Sequence, residues 1–351
     1  MRKVRVLIVE DSALMRRVIG DIIRGHPELE LLATARDGLD ALEKIKANKP
    51  DVVTMDLDMP RMGGLETLRR VMAEMPLPVI MISSHTKSGS ESTLQALDAG
   101  AVDFISKPFS STSTESMEEL ENILPQKIIA ASSACVGLIA DKKIIPVKAA
   151  GSGGPARRPY STPRVIVAIG ASTGGPRALE AVFSALPADL PAAVLLSQHM
   201  PPGFTLSFSQ RLNMISTLQV KEAEKGDHLL AGHALVAPGG FHMIVSRGGI
   251  VLDSGPKINY VRPSIDVMLE SLISCEQKVL VVIMTGMGKD GAAGAAVLKS
   301  IKKDTILLAQ DPSTALIPSM PEGLIKSGLC DHQAPLSNLA CEISRYARIL
   351  A

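Results

Sequence analysis

Ser172 lies in Gly170-Ala171-Ser172-Thr173-Gly174-Gly175, after a strand-like run and before a helical one. The G-x-S-x-G spacing lets a sharp turn expose a hydroxyl, and a helix start leaves backbone N–H groups free to face an anion. Taken alone the motif has a second reading, a glycine-rich turn that cradles a phosphate. Two other segments bear on the choice. Gln198-His199-Met200-Pro201-Pro202-Gly203 follows the next strand, and Thr285-Gly286-Met287-Gly288-Lys289-Asp290-Gly291 follows a later one. A serine nucleophile needs a base, and the base needs an orienting carboxylate. Ser172, His199 and Asp290, all at carboxyl ends of expected parallel strands, are therefore a candidate triad. Their order differs from that of the α/β-hydrolases, so the arrangement would be a convergent one. Backbone N–H groups near Thr173 and Met287 are candidates for an oxyanion hole.

A second set occupies the first half. Glu10 and Asp11 follow the first expected strand, Asp56 ends the third, Ser83 follows the fourth and Lys107 the fifth. An open parallel sheet gathers the carboxyl ends of its strands at one edge, where ligands bind. Three carboxylates there make a hard oxygen site suited to Mg²⁺. The metal would offset the charge of an incoming phosphoryl group, and Asp56 would attack phosphorus. Lys107 would pair with the phosphoryl oxygens and Ser83 would hydrogen-bond to them.

The elements that must hold both sets are short apolar runs alternating with helical-period segments, the rhythm of βα units and parallel sheets. In the first half Val4 to Val9, Glu28 to Ala33, Asp51 to Met55, Leu77 to Ile82 and Val102 to Ile105 are expected strands. Ser12 to Arg24, Gly38 to Ala47, Gly64 to Met75, Ser90 to Ala99 and Met117 to Ala131 are expected helices, the last kinked by Pro125. In the second half Arg164 to Ile169, Ala193 to Ser197, Lys278 to Met284 and Thr305 to Ala309 are expected strands. Ala234 to Ala237, Met243 to Ser246 and Ile250 to Asp253, separated by glycine pairs, read as antiparallel hairpins appended to the sheet. The fold class is α/β, with two doubly wound parallel-sheet domains, one over residues 1–131 and one over 164–351. Gly151, Gly153, Gly154 and four prolines mark 132–163 as a flexible linker.

Bulk properties agree. The 351 residues suffice for two domains, and 46% hydrophobic with 3% aromatic and no Trp means aliphatic cores, which suit sheets covered on both faces. A net charge of +1 gives neither a nucleic-acid footprint nor a polybasic membrane patch. Cys135, Cys275, Cys330 and Cys341 have no CxxC spacing, and reduced thiols in a cytosolic protein are expected. No signal peptide or membrane-spanning stretch is expected, so the location is cytoplasmic. His85, His228, His233 and His242 read as loop or surface histidines, and the pairs Arg16-Arg17 and Glu118-Glu119 as solvated helix faces.

Val6 to Asp11, Met55-Asp56-Leu57-Asp58-Met59-Pro60, Gly63-Gly64-Leu65, Ser83-Ser84 and Ser106-Lys107-Pro108 resemble a response-regulator receiver, over residues 1 to about 131. The resemblance implies a flavodoxin-like fold with Asp56 as phosphoryl acceptor from a histidine kinase. It implies Mg²⁺ held by Glu10, Asp11 and Asp56, with Ser83 and Lys107 as switch residues. The motifs around Ser172, His199 and Asp290, with Pro238-Gly239-Gly240 and Arg262-Pro263-Ser264-Ile265-Asp266, resemble the catalytic domain of the CheB family of chemotaxis protein-glutamate methylesterases, from about Arg164 onward. That resemblance implies a Rossmann-like hydrolase domain. It implies hydrolysis of γ-glutamyl methyl esters on the cytoplasmic domains of chemoreceptors, with deamidation of receptor glutamines in some members and no cofactor for ester hydrolysis. Phosphorylation of a receiver covering part of the Ser172 cleft would release it.

This sequence departs from the family pattern at Pro312-Ser313-Thr314, Ser319-Met320-Pro321, Val261 and Phe241, none of them in the triad. Three other functions are weighed against this one. A receiver with a nucleotide-binding module predicts tight nucleotide binding and no labelling of Ser172. An esterase for a small metabolite predicts turnover insensitive to receptor, and a receptor scaffold predicts an idle triad.

Overall fold

The computed structural model describes residues 2–83, 87–107, 114–134 and 162–351. His85, Pro108, Cys135 and nearly all of the expected linker lie outside the described residues. The chain divides into two compact units, Met1–Lys142 and Lys143–Ala351.

The first unit runs β1 (Val4–Val9), α1 (Ala13–Gly25), β2 (Leu29–Ala35), α2 (Gly38–Asn48), β3 (Val52–Asp56), α3 (Gly64–Glu74), β4 (Val79–Ser83), α4 (Lys87–Asp98), β5 (Asp103–Ser106) and α5 (Thr114–Ser132). Its five strands are parallel in the order β2-β1-β3-β4-β5. β3 and β4 are buried along their whole length, which is why their sequences are nearly continuous apolar runs rather than alternating ones. Helix starts are fixed locally. Ser12 accepts the Met15 N–H at the head of α1, and Asp37 accepts those of Leu39 and Asp40 at the head of α2. Pro125 falls inside α5, flanked by the fully buried Leu124 and Ile128. The chain passes from β1 to β2 on one side and to β3 on the other, so the tips of β1 and β3 border a topological switch point.

The second unit runs β6 (Val165–Ala171), α6 (Gly175–Ala185), β7 (Ala192–Gln198), α7 (Phe204–Ile215), β8 (Gln219–Glu222), β9 (His233–Val236), β10 (His242–Ser246), β11 (Gly249–Asp253), α8 (Ile265–Ser271), β12 (Lys278–Ile283), α9 (Ala292–Ile301), β13 (Ile306–Gln310), α10 (Ser319–Lys326), β14 (His332–Ala334) and α11 (Leu336–Leu350). The main sheet has seven parallel strands in the order β14-β13-β12-β6-β7-β9-β8, and β10 and β11 form an antiparallel hairpin. The first strand, β6, lies mid-sheet, with later strands added on both sides. The switch point therefore falls between the tips of β6 and β12.

Register assigns the two faces of β6, β7, β12 and β13. Ile166, Ala168, Ala193, Leu195, Val279, Val281, Leu307 and Ala309 form one core with Ile265, Met268 and Leu269 of α8, Ala295 and Leu298 of α9, and Met320 and Leu324 of α10. The intervening residues Val165, Val167, Val194, Leu196, Leu280 and Leu308 are equally buried, and α6, α7 and α11 form the other packed layer. The expected hairpin strand at Ala234 to Ala237 is corrected: β9 is a parallel strand within the sheet, between β7 and β8. Ala234, Leu235 and Val236 are all buried, as a strand covered on both faces requires. β8 and β14, which sequence reading did not anticipate, are short edge strands.

One glycine tests the first sheet. A Cβ at Gly64 would overlap the backbone carbonyl of Asp56, which the β3 ladder holds in place. Gly64→Ala should destabilise the first unit by about 2 kcal/mol or more. Amide exchange in β3 and β4 should then quicken at least tenfold, with β6 and β12 unchanged.

Candidate functional site

Ser172 leaves the tip of β6, His199 the tip of β7, and Asp290 the loop after β12. Backbone hydrogen bonds staple these tips together: Ser172 N–H donates to Thr285 O at 3.0 Å and His199 N–H to Ala171 O at 3.1 Å. The side chains meet as well. His199 Nδ1 is 3.1 Å from Ser172 Oγ, and His199 Nε2 is 2.8 Å from Asp290 Oδ2. With Nε2–H donating to the carboxylate, Nδ1 is left to accept from the serine hydroxyl. A Cβ at Gly175 would collide with Gln198, whose amide donates to the carbonyls of Ser172 at 3.0 Å and His199 at 3.2 Å.

The turn differs from a strained nucleophile elbow. The left-handed backbone is carried by Gly174, with φ of 75°, while Ser172 is not among the residues with positive φ. Gly286 passes close above the serine; a Cβ there would fall 2.8 Å from Ser172 Cβ. Met287, the residue that follows, is half-buried. Thr173 is buried, and its carbonyl accepts the Thr285 hydroxyl at 3.0 Å.

Asp290 is held by a set of donors. Oδ1 accepts the Ser264 hydroxyl at 2.9 Å and the Asp266 N–H at 3.0 Å, and Oδ2 accepts the Ile265 N–H at 2.7 Å beside His199. These come from the head of α8, where amides have no helical partner. Burial pushes the carboxyl upward, but the His199 pairing and the two amides prevail and hold it at about 2. Asp266 reciprocates at the head of α9, accepting the N–H groups of Gly291 at 2.9 Å and Gly294 at 2.6 Å. Burial, opposed by the Gly294 amide but reinforced by the nearby Asp290 charge, lifts Asp266 to about 6.

In the first unit Glu10, Asp11 and Asp56 bring carboxylate oxygens within 4.8 Å of one another. Lys107 Nζ lies 2.6 Å from Asp56 Oδ2 and 3.1 Å from Glu10 Oε2. Burial, then repulsion from Asp56, raises Glu10 to about 7 despite that ammonium. Burial likewise raises Asp56. The ammonium's hydrogen bond goes to Glu10 Oε1 at 3.2 Å, so the buried Oε2, although in ion-pair range of the same nitrogen, accepts no hydrogen bond among the described residues. Crowded, half-compensated oxygens of this kind fit a hard cation. Ser83 is engaged with α4, accepting from Thr93 Oγ1 at 2.7 Å and donating to Gly89 O at 3.3 Å.

Two sequence expectations are corrected here. His242 opens β10 and is buried, so it is not a surface histidine. Arg16 does not belong to a solvated face: its guanidinium donates to Glu10 O at 2.6 Å and Asp11 O at 3.2 Å. Sequence reading assigned no role to Ser264, Asp266 or Gln198. Their signal lies in Gln198-His199 and Arg262-Pro263-Ser264-Ile265-Asp266, segments that do not by themselves encode the cap geometry that uses them.

Comparison with known proteins agrees with this division. The CheB methylesterase family model matches residues 167–343, and that of the response regulator receiver domain matches 6–118. The chain belongs to the CheB methylesterase family. A relative from Symbiobacterium thermophilum named protein-glutamate methylesterase/protein-glutamine glutaminase is 45% identical, covering 98% of this chain and 97% of its own. One of the same name from Pyrococcus abyssi is 44% identical, covering 99% and 95%. The crystal structure of the Thermotoga maritima CheB methylesterase catalytic domain is similar at 39% identity and a TM-score of 0.49, covering 52% of this chain and 97% of its own. No helix among the described residues is long and apolar enough to cross a membrane.

The Asp266 environment sets a pH dependence in this CheB-family domain. Its folded pKa of about 6 lies well above the ordinary aspartate range near 3.8, so the native state binds the proton more tightly. Its contribution to stability is therefore largest at low pH and falls as pH rises through about 6. Asp266→Asn keeps an acceptor for Gly291 and Gly294 and removes the repulsion. It should stabilise the domain by on the order of 1 kcal/mol at pH 8, about half as much at pH 5 and hardly at all at pH 3.5, measured by urea midpoints.

Proposed function

We propose that this chain is a phosphorylation-activated protein-glutamate methylesterase. It would hydrolyse γ-glutamyl methyl esters on the cytoplasmic domains of methyl-accepting chemoreceptors to glutamate and methanol, and deamidate receptor glutamines. The observation that carries the proposal is the hydrogen-bonded run from Ser172 through His199 to Asp290 in a CheB-family domain. The setting is the cytoplasm, within the chemotaxis adaptation pathway.

Ser172 Oγ attacks the ester carbonyl as its proton passes to His199 Nδ1. Asp290 offsets the charge on the ring, and the Thr173 and Met287 amides face the oxyanion. The tetrahedral centre collapses and expels methanol, which takes the proton from His199. Water, deprotonated by the same nitrogen, then cleaves the acyl-enzyme to release the glutamyl carboxylate and restore Ser172. A glutamine substrate loses ammonia in place of methanol. The reaction uses no cofactor.

The regulatory half acts at Asp56. Glu10, Asp11 and Asp56 would hold Mg²⁺, which supplies charge compensation for a phosphoryl group donated by a chemotaxis histidine kinase. Asp56 is the acceptor, Lys107 pairs with the phosphoryl oxygens, and Ser83 leaves Thr93 and Gly89 to bind them. That shift is the switch that raises activity of the catalytic domain.

Two expected outcomes test this. Methanol release from methylated receptor should fall on the order of 10⁶-fold in Ser172→Ala; equal release by both proteins, or none by the intact chain, refutes the esterase reading. A small phosphodonor with Mg²⁺ should accelerate the intact protein, and neither Asp56→Asn nor chelated protein should respond. Acceleration that survives either change refutes the switch.

A further inference from the structure

The imidazole of His242 is 2% exposed and takes no part in the reaction above. Its Nδ1 accepts the Ser264 backbone N–H at 3.1 Å, and its Nε2 lies 3.0 Å from Pro256 O. The ring therefore carries its proton on Nε2, and both nitrogens are satisfied.

The Ser264 amide is an unusual thing to hold. Ser264 is the capping residue just before α8, and a serine there ordinarily turns its hydroxyl onto the helix's own free amides. Here it makes no such bond. The hydroxyl goes instead to Asp290 Oδ1, and the next two amides reach the same carboxylate. The serine's own capping bond is thus given up to Asp290, which caps the α8 amides in its place, and the backbone of Ser264 itself is left to be fixed by another group. His242 is placed to fix it, one bond behind the residue that holds Asp290.

We propose that His242 is a positioning residue for the triad. It fixes the Ser264 amide and with it the hydroxyl and amides that orient Asp290 and, through it, His199. The proposal rests on the methylesterase reading, and its test separates the two.

Two substitutions divide the ring's bonds. His242→Asn sets an amide oxygen near the place of Nδ1 and keeps an acceptor for Ser264, while His242→Gln reaches toward Pro256 and loses it. The full-length protein with phosphodonor is assayed for methanol release from methylated receptor and for the rate at which an alkyl fluorophosphonate labels Ser172. Urea midpoints establish that each variant is folded. His242→Gln should lower kcat about tenfold, the loss of one hydrogen bond in a charged network, with KM within twofold. Labelling should slow in parallel, and His242→Asn should recover most of both rates. In a Ser264→Ala background, which removes the hydroxyl arm but keeps the amides, His242→Gln should cost clearly less than the tenfold it costs in the unaltered protein, because coupled residues are non-additive.

A full tenfold further loss in that background overturns the proposal. So does an effect on KM alone, or folded Asn and Gln variants of equal rate. If the unaltered protein neither releases methanol nor is labelled at Ser172, the methylesterase reading fails first.

Discussion

A buried carboxylate that must stay ionised organises the catalytic unit. Asp290 lies between the tips of a parallel sheet and the head of α8, with His199, Ser264, Ile265 and Asp266 as donors. Removing such a charge from water costs several kcal/mol unless its lone pairs are filled. Four donors fill them, three from the consecutive residues Ser264, Ile265 and Asp266 at the head of α8 and one from His199 at the tip of β7, so helix head and strand tip are tied to one group. A carboxylate held in this way cannot rotate, so the imidazole bonded to it has one tautomer and one direction.

The reciprocal arrangement of α8 and α9 extends the constraint. Asp290 precedes α9 and satisfies α8, while Asp266 lies in the first turn of α8 and satisfies α9. Each helix head is capped by the acid of the other, so neither can shift alone. The close approach has a cost, seen in the raised pKa of Asp266 beside the Asp290 charge. The asymmetry follows from donor number: Asp290 gains an imidazole and a hydroxyl that Asp266 lacks, so one stays ionised far below neutrality and the other titrates near it.

Much of this was legible in the sequence because strand ends are legible. Ser172, His199 and Asp290 each follow an apolar run, and parallel topology brings such positions to one edge. The first unit was readable in the same way, down to the Asp56 position at the end of β3. What failed depended on pairing partners. β9 is as apolar as a hairpin strand of its length, and the glycine pairs that follow it suggested a turn back onto itself; whether it pairs with β7 or with β10 is a long-range choice that four residues do not encode. His242 was misread for a related reason. A histidine beside glycines has a surface composition, and only the docking of α8 against β10 buries it. The hydroxyl of Ser83 toward Thr93 is a rotamer state, set by α4 rather than by any local pattern.

The two units place carboxylates at the same edge of the same kind of sheet and treat them in opposite ways. Around Asp290 the donors match the oxygens, so burial leaves a fixed anion suited to orienting a base. Around Asp56 they do not: Glu10 and Asp56 share one ammonium beside the exposed Asp11, Glu10 is driven to about 7, and one of its oxygens accepts no hydrogen bond among the described residues. A site with that much uncompensated repulsion gains most from a cation and then from whatever the cation brings with it. Full satisfaction gives a rigid anion, and shortage gives a site whose balance a bound charge can change. The difference lies in the number of donors converging on each sheet edge.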